Sequence, residues 1–348
     1  MKKGFQKTIG LILALSMTLV LLASCSSTTP AASSSAPAST EAQSSAAPSE
    51  SAPASGEGAY KIKFAPFVSY TGLGTFFGIE KGIFKDAGLD LEIINLEDKV
   101  SGLVSGDIDF ADLNTSQAIT AIAQGAPFKI VGSMFRTKGA FYLIGSNDIK
   151  EISDLKGKNV GNAMTGSGLD AYTRVILKEN GFDPDKDVTL IANGVYQNAL
   201  ASLESGQVDA TIIHQPFVEL AEEQGIGHLL AKGYDYLPTF HTGVLVASDS
   251  FIQDHPEELK KIIKAYYDSW TYAKYNEEEL LDFGADYVQI DRETLKKALE
   301  SELVLWDNKP EVDVSAINDT QDVQIELGFQ DEKYDVTGFI DESFLPGK

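Results

Sequence analysis

The sequence predicts an α/β protein of two lobes, each a mostly parallel β-sheet flanked by helices. Segments with strand-like patterns alternate along the chain with segments of helical spacing, an order that favours parallel sheets. An internal repeat with an offset of 100 residues is too long for a solenoid unit and indicates duplicated lobes. Residues 59–348 are also long enough to enclose two hydrophobic cores.

The predicted strands are short runs rich in apolar, β-branched and aromatic residues. One of them, "LDLEIINL" (89–96), alternates apolar and polar residues as a half-buried strand does. A helix with turn glycines is expected in "GTFFGIEKGIFKDAG" (74–88) and another helix in "SQAITAIAQG" (116–125). The other predicted strands are "YKIKFAP" (60–66), "IDFADLN" (108–114), "PFKIVGSMF" (127–135), "KNVGNA" (158–163), "DVTLIA" (187–192) and "VDATIIH" (208–214).

The region after residue 250 predicts amphipathic helices. In "HPEELKKIIKAYYDSWTYAKY" (255–275) the apolar residues recur at helical spacing. Pro256 suits the first turn of this helix, because a helix leaves its first N–H groups unpaired. Asp291 is expected to be the N-cap of the helix that follows it.

The repeat consists of "LVSGDIDFADL" (103–113) and "LESGQVDATII" (203–213). In each copy a helix ends at a glycine, which can adopt the positive φ of a helix C-terminus, and a strand follows. Each copy also has an earlier strand and a glycine-containing loop before a helix, at 67–74 and 163–170. The identical positions are Leu103 and Leu203, Ser105 and Ser205, Gly106 and Gly206, and Asp109 and Asp209.

Residues 1–24 have the pattern of a signal peptide. Lysines precede an apolar run over residues 9–23, which is short for a membrane-spanning helix. Small residues then precede Cys25, the single cysteine of the chain. This arrangement resembles the lipobox of bacterial lipoproteins, in which the cysteine is lipidated and the chain is cut just before it. A free thiol behind an ordinary signal peptide is the alternative.

Residues 25–58 predict a tether between this anchor and the folded body. They are almost entirely Ser, Ala, Pro, Thr, Gly and Glu, with no aromatic or large aliphatic residue. Such a segment cannot bury enough apolar surface to offset the entropy of ordering it. The formal net charge of −23 argues against nucleic acid as a partner, since a nucleic-acid-binding surface needs clustered positive charge.

The body resembles the substrate-binding proteins of ABC importers of the nitrate, sulfonate, taurine and thiamine-precursor type, a group that includes SsuA/THI5-like and NMT1-like proteins. The resemblance covers the whole body and its C-terminal "GFIDESFL" (338–345). The other matching motifs are "GIEKGIFKDAGLDLEI" (78–93), "SGDIDFA" (105–111), "AQGAPFKIVG" (123–132), "ISDLKGKNVG" (152–161), "NALASLESGQVDATIIHQPF" (198–217) and "DSFIQDHPEELKKII" (249–263).

The resemblance implies a type II periplasmic-binding-protein-like fold with two crossover strands, near residues 140–146 and 242–248. Lobe 1 would comprise residues 59–142 and 245–348, and lobe 2 residues 143–244. The chain would be a lipoprotein on the extracytoplasmic face of the cell membrane that delivers a small solute to an ABC permease and its ATPase. The solute would be a sulfonate, nitrate or taurine-like anion, or a pyrimidine-type thiamine precursor. We expect a monomer without cofactor or metal; a sensor for a membrane receptor is an alternative.

Candidate ligand-binding residues follow the ends of the predicted strands. In open α/β sheets, ligands bind beyond the carboxyl ends of the strands, where helix N-termini present unpaired N–H groups. The alternative is that the glycine loops are ordinary turns whose Ser and Thr residues cap helices. The candidates are Ser69, Tyr70, Thr71, Asn114, Thr115, Ser116, Arg136, Thr165, Gly166, Ser167, Tyr196, His214 and Gln215.

Two kinds of side chain near the predicted strand ends suggest a ligand class. Arg136 could bind a sulfonate, carboxylate or phosphate through two parallel hydrogen bonds, although a surface arginine fits the sequence equally well. Phe67, Tyr70, Phe135 and Tyr196 could stack on a flat heterocycle, or they could belong to the core and the walls of the cleft.

Enzymatic motifs are absent from the sequence. The four histidines form no H-E-x-x-H pair, and "TGSGLD" (165–170) is neither a P-loop nor a G-x-S-x-G elbow. The thiamine-pyrimidine synthases of the related branch carry a cysteine-rich motif, whereas this chain has one cysteine. We therefore expect a binding protein with no catalytic residues and keep the synthase as an alternative.

The lipobox pattern predicts that Cys25→Ala is released from membranes. Without acyl chains, which contribute about 0.8 kcal/mol per buried CH₂, the protein loses its hold on the bilayer. Fractionation of cells that express either form measures the effect. Equal membrane retention of both forms would contradict the prediction.

Overall fold

The computed structural model describes residues 60–135, 137–306 and 309–348. The predicted signal peptide, Cys25, the tether and Arg136 lie outside the described residues. The described residues belong to one compact unit. Within the described ranges, no helix has both the length and the apolar character needed to cross a bilayer.

The described chain contains two five-stranded sheets, which confirms the predicted α/β fold with two sheets flanked by helices. The first sheet has the order β2-β1-β3-β10-β4, and β10 runs antiparallel to both of its neighbours. β1 pairs in parallel with β2 and β3, so one strand of five is reversed. Its strands are β1 (Lys61–Ala65), β2 (Asp90–Ile93), β3 (Phe110–Asn114), β4 (Phe128–Ser133) and β10 (Gly243–Ser248).

The second sheet repeats this arrangement with the order β7-β6-β8-β5-β9, in which β5 is the reversed strand. Its strands are β5 (Tyr142–Ser146), β6 (Asn159–Asn162), β7 (Thr189–Ala192), β8 (Ala210–Ile213) and β9 (Gly227–Lys232). Every strand predicted from the sequence is present, although β2 covers only part of "LDLEIINL". Strand β9 was not predicted.

The helices lie on both faces of the sheets. The helices that connect strands of the first sheet are α1 (Leu73–Glu80), α2 (Ile83–Asp86), α3 (Lys99–Ser105) and α4 (Thr115–Ala123). The second carries α5 (Gly168–Glu179), α6 (Gln197–Glu204), α7 (Phe217–Glu223) and α8 (Gly233–Tyr236). The C-terminal helices are α9 (Asp249–Asp254), α10 (Pro256–Tyr275), α11 (Glu277–Val288), α12 (Arg292–Glu302) and α13 (Val314–Glu326).

Two details of the predicted helices can be compared with the structure. Pro256 opens α10, and the Asp291 carboxylate accepts hydrogen bonds from the backbone N–H groups of Glu293 and Thr294, as expected of an N-cap. The single helix expected over residues 74–88 is instead two helices. Gly82 separates α1 from α2 because it adopts a φ of 77°, a conformation that ends a helix.

The repeated aspartates perform the same structural task in both halves. Asp109 accepts a hydrogen bond from the backbone N–H of Lys63 through its carboxylate, at 2.9 Å. Asp209 accepts the equivalent bond from Asn159, also at 2.9 Å. Asp109, just before β3, is thereby bonded to β1, and Asp209, just before β8, is bonded to β6.

The central strands of each sheet are buried on both faces. Along β10, Val244 and Val246 belong to one hydrophobic cluster of the first half, and Leu245 and Ala247 to another. The two faces of the second sheet likewise carry separate clusters. Burial on both sides explains why these strands are nearly continuous apolar runs.

The chain passes from the first sheet to the second through residues 134–141 and returns through residues 233–242. The segments predicted as crossovers largely form β5 and β10, which begin close to the predicted lobe boundaries. The C-terminal helices, assigned to lobe 1 from the sequence, pack on both halves. Ile317 of α13 lies in a core of the first half, whereas Leu327 and Phe329 pack against a core of the second.

His241 lies in the second connecting segment, where it is 1% exposed. Its Nδ1 is 2.9 Å from Thr115 Oγ1 and its Nε2 is 3.2 Å from Ser133 Oγ. Its backbone N–H donates to Thr320 Oγ1 at 2.7 Å. Burial lowers the pKa of His241 from 6.5 to about 4, so the ring is neutral in the folded protein at neutral pH.

We predict that the buried neutral His241 makes stability fall with decreasing pH. The unfolded chain binds a proton near pH 6.5 and the folded chain only near pH 4, so acidification favours the unfolded state in this window. The free energy of unfolding should fall by about 2 kcal/mol between pH 7 and pH 5. Urea unfolding of wild type and His241→Gln measures it. Between pH 7 and pH 5, wild type should lose this much more stability than His241→Gln. An equal loss in both proteins would contradict the prediction.

Candidate functional site

A cavity of about 340 Å³ lies between the two sheets. Its walls come from the segments that follow the carboxyl ends of the parallel strands in both halves, together with the two connecting segments. This is the position where open α/β sheets bind ligands. The lining residues are Pro66, Phe67, Val68, Thr71, Asn95, Leu96, Glu97, Lys99, Asn114, Met134, Lys138, Ala140, Phe141, Leu169, Val195, Tyr196, His214 and Thr242.

In the first half, the segment after β1 brings Phe67 and Thr71 to the cavity. β1 ends at Ala65, and a short 3₁₀ helix (Ser69–Gly72) turns the chain into α1. A Cβ on Gly72 would lie 1.7 Å from the backbone carbonyl oxygen of Phe67, so only glycine permits this tight turn. The turn fixes the position of the Phe67 backbone.

In the second half, the cavity wall is aromatic. The rings of Tyr196 and His214 stack with centroids 5.2 Å apart, and the edge of Phe141 meets His214 at 4.9 Å. Tyr196 has a φ of 53° and a ψ of −126°, a conformation that favours glycine. Its stacking on His214 and its contact with Phe217 hold it there. Strained residues of this kind cluster at ligand sites.

One hydrogen bond crosses the cavity from the first half to the second. Thr71 Oγ1 and Tyr196 Oη are 3.2 Å apart. Each residue follows a strand of a different sheet, so this bond forms only when the two halves are close. It marks the structure as a closed arrangement.

The cavity contains two lysines in different surroundings. Lys99 is 8% exposed, and its ammonium donates to Asp112 Oδ1 at 2.9 Å and to the Asp112 carbonyl oxygen at 3.0 Å. Burial raises the pKa of the Asp112 carboxyl, and the charge of Lys99 counteracts part of that rise. Lys138 is exposed and has no acidic partner within ion-pair distance among the described residues.

Four of the predicted site residues, Thr71, Asn114, Tyr196 and His214, line the cavity together. The structure therefore brings together candidates from four different loops, two in each half. Whether they contact a ligand stays a prediction, as does the role of Arg136.

Other predicted site residues lie behind the cavity wall. Tyr70 is buried in a core of the first half, and Thr115 pairs with His241. Gln215 donates to Glu219 Oε1 at 3.1 Å and to Ser301 Oγ at 3.0 Å. Ser69 and Ser116 are likewise not among the lining residues.

The glycine loop of the second half does not line the cavity either. The backbone N–H of Gly166 donates to Asp170 Oδ2 at 2.9 Å, and Ser167 Oγ accepts from the backbone N–H of Asp170 as the N-cap of α5. Thr165 is exposed. The groups predicted to hold a ligand are occupied by local bonds, and only Leu169 from the start of α5 reaches the cavity.

Several lining residues were not predicted. Lys99, Lys138 and Phe141 were assigned no role from the sequence, although each follows or precedes a predicted strand closely. Phe67 was considered as a stacking residue, and it does line the cavity. Phe135, considered with it, is fully buried and stacks on Trp270 with centroids 4.7 Å apart.

A family model described as NMT1/THI5 like matches residues 71–280, more than half of the chain. A Bacillus subtilis protein named for binding aliphatic sulfonates is 26% identical, over 76% of this chain and 82% of the relative. A 4-amino-5-hydroxymethyl-2-methylpyrimidine phosphate synthase of Candida albicans is 31% identical. That match covers 53% of this chain and 58% of the synthase, so the chain spans a little over half of that enzyme.

Solved structures share the fold. The nitrate-binding protein NrtA from Synechocystis PCC 6803 aligns with a TM-score of 0.70 at 16% identity, covering 82% of this chain and 87% of NrtA. The alkanesulfonate-binding protein SsuA from Xanthomonas axonopodis pv. citri, bound to MOPS, aligns with a TM-score of 0.66 at 15% identity. That alignment covers 81% of this chain and 98% of SsuA. These likenesses establish a periplasmic-binding-protein fold.

We predict that Thr71 and Tyr196 are energetically coupled. A double-mutant cycle of Thr71→Val and Tyr196→Phe in urea unfolding, with a bound solute that keeps the two halves together, should give a coupling energy of about 0.5–1.5 kcal/mol, the usual net contribution of a neutral hydrogen bond. The matched control pairs Tyr196→Phe with Thr165→Val, an exposed threonine outside the cavity, and should show no coupling. Additive effects of Thr71→Val and Tyr196→Phe would contradict the prediction.

Proposed function

The chain belongs to the NMT1/THI5-like family, and we propose that it is the solute-binding component of an ABC importer. The observation that carries the proposal is the cavity between the two sheets, walled by strand ends from both halves. A solute held there contacts both halves at once. It therefore binds the closed arrangement more tightly than an open one and shifts the population toward closure.

The cavity lining favours an organic solute with an apolar body. Most lining residues are apolar or aromatic, among them Phe67, Met134, Phe141, Leu169 and Val195. A bare inorganic anion would leave these surfaces uncovered and would need several converging donors. An alkanesulfonate or a substituted pyrimidine matches the lining better, in agreement with the names of the sulfonate-binding and pyrimidine-related relatives.

The remaining parts of the proposal follow from the sequence pattern. Lipidation of Cys25 would anchor the protein on the extracytoplasmic face of the membrane, and residues 26–58 would give the body reach to a permease. The permease, coupled to an ATPase, would accept the solute from the closed form. The protein would act as a monomer and perform no chemistry itself.

A pyrimidine phosphate synthase is the second candidate, favoured by the 31% identity to the Candida albicans enzyme. The match covers only part of that enzyme, and the cavity-lining residues of this chain are explained by binding alone. The candidates differ in turnover. Formation of a pyrimidine phosphate by the purified protein would identify the synthase, and stoichiometric binding without product would support the importer component.

We predict that butane-1-sulfonate or 4-amino-5-hydroxymethyl-2-methylpyrimidine stabilises the purified protein more than nitrate does. A ligand at 100 times its dissociation constant adds about 2.7 kcal/mol to the stability of the folded state. Thermal unfolding measures the stabilisation, and small-angle scattering should show a smaller radius of gyration with the bound solute. Stabilisation by nitrate alone would contradict the ligand class, and an unchanged radius at saturation would contradict closure.

A further inference from the structure

We propose that Lys99 and Asp112 are positioning residues that fix the ring of Phe67 in the cavity, and that the ammonium of Lys99 is not the binding site for a charge on the solute. The proposal rests on the proposed function to the extent that Phe67 contacts the solute. It assigns a specific task to the buried ion pair of these two residues.

The ammonium of Lys99 contacts the face of the Phe67 ring. Its Nζ lies 3.9 Å from the ring centroid, well within the range of a cation–π interaction. Lys99 is the first residue of α3, and Phe67 lies in the loop after β1. The contact therefore joins the start of α3 to the loop after β1 at the cavity wall.

Asp112 holds Lys99 in place. Its carboxylate, 2% exposed on β3, accepts a hydrogen bond from the Lys99 ammonium at 2.9 Å. The nearby backbone of Phe67 counteracts part of the rise that burial causes in the pKa of the same carboxylate. One buried carboxylate thus holds the ammonium that contacts the Phe67 ring.

The hydrogen-bond donors of Lys99 are accounted for within this unit. An ammonium has three N–H donors and no acceptor. Two donors go to the carboxylate and the carbonyl oxygen of Asp112, and the ring of Phe67 lies against the charge. A solute anion would have to displace Asp112 to reach the charge, which would leave a buried carboxylate without its counter-ion.

The other cavity lysine provides a matched comparison. Lys138 lines the same cavity but is exposed, and no carboxylate of the described residues lies within ion-pair distance of it. Removal of its charge leaves no buried group unpaired. Lys138→Met is therefore the control for a lysine that is not tied to Phe67.

The first test needs no solute. The full-length protein is labelled with 4-fluorophenylalanine, and the ¹⁹F resonance of residue 67 is assigned by its loss in Phe67→Leu. We expect Lys99→Met/Asp112→Asn, which removes both charges together, to shift or broaden this resonance, and Lys138→Met to leave it unchanged. Circular dichroism establishes that each variant is folded. An unchanged resonance in the folded double variant would overturn the proposal.

If the double variant does not fold, Lys99→Arg replaces it, because arginine retains the charge but changes the geometry over the ring. The resonance of residue 67 should then move while those of distant phenylalanines stay in place. An unmoved resonance in Lys99→Arg would equally overturn the proposal.

The second test uses butane-1-sulfonate as the probe, with calorimetry at low and high salt. Lys99→Met/Asp112→Asn should weaken binding about threefold to tenfold, the range expected when a cation–π contact that orders the ring is lost. The salt dependence of binding should stay as in wild type, and the same change in a Phe67→Ala background should have no further effect. A reduced salt dependence, or a full effect without the Phe67 ring, would show that Lys99 binds the sulfonate and would overturn the proposal. Failure of the probe to bind wild type bears on the proposed function, and the ¹⁹F measurement still decides the role of Lys99.

Discussion

The rest of the structure depends on where two strands are inserted. β5, which follows β1–β4 in the chain, belongs to the second sheet, and β10, which follows β6–β9, belongs to the first. β10 lies inside the first sheet between β3 and β4, and β5 lies inside the second between β8 and β9. Both strands are buried on both faces, so neither can leave its sheet without exposing a core. The connecting segments must therefore run side by side between the halves. This arrangement turns the carboxyl ends of both sets of parallel strands toward one cavity.

Much of this fold could be predicted from the sequence, because its strands are local apolar runs and its repeat is visible in identical residues. Asp109 and Asp209 occupy equivalent positions of the repeat because each makes the same hydrogen bond in its sheet. The features that could not be predicted are of two kinds. The break between α1 and α2 depends on the positive φ of one glycine among several, and strand β9 alternates too weakly to stand out. The packing of α13 on both halves is a long-range contact that no local pattern encodes.

The candidate site was also predicted only in part from the sequence. Strand ends identify Thr71, Asn114, Tyr196 and His214, because topology alone places them at the cavity. The glycine loop at residues 163–168 has a similar composition, but the backbone N–H of Gly166 and the hydroxyl of Ser167 both bond to Asp170. Composition cannot distinguish a loop whose N–H groups are used internally from one that offers them to a ligand. Lys99 is missed for the opposite reason, since a lysine in the first turn of a helix gives no sign that it is buried.

The energetics of the cavity suggest how closure depends on the solute. The charges of Lys99 and Asp112 neutralise each other within the first half, so they supply no attraction across the gap. A direct polar contact across the cavity, between Thr71 and Tyr196, is a neutral hydrogen bond of modest net value. Under the proposed function, a solute that packs on Phe67 in one half and on the aromatic wall of the other would add contacts across the cavity. The closed arrangement would then be favoured mainly when the cavity is filled, which is the property that the proposed role in solute delivery requires.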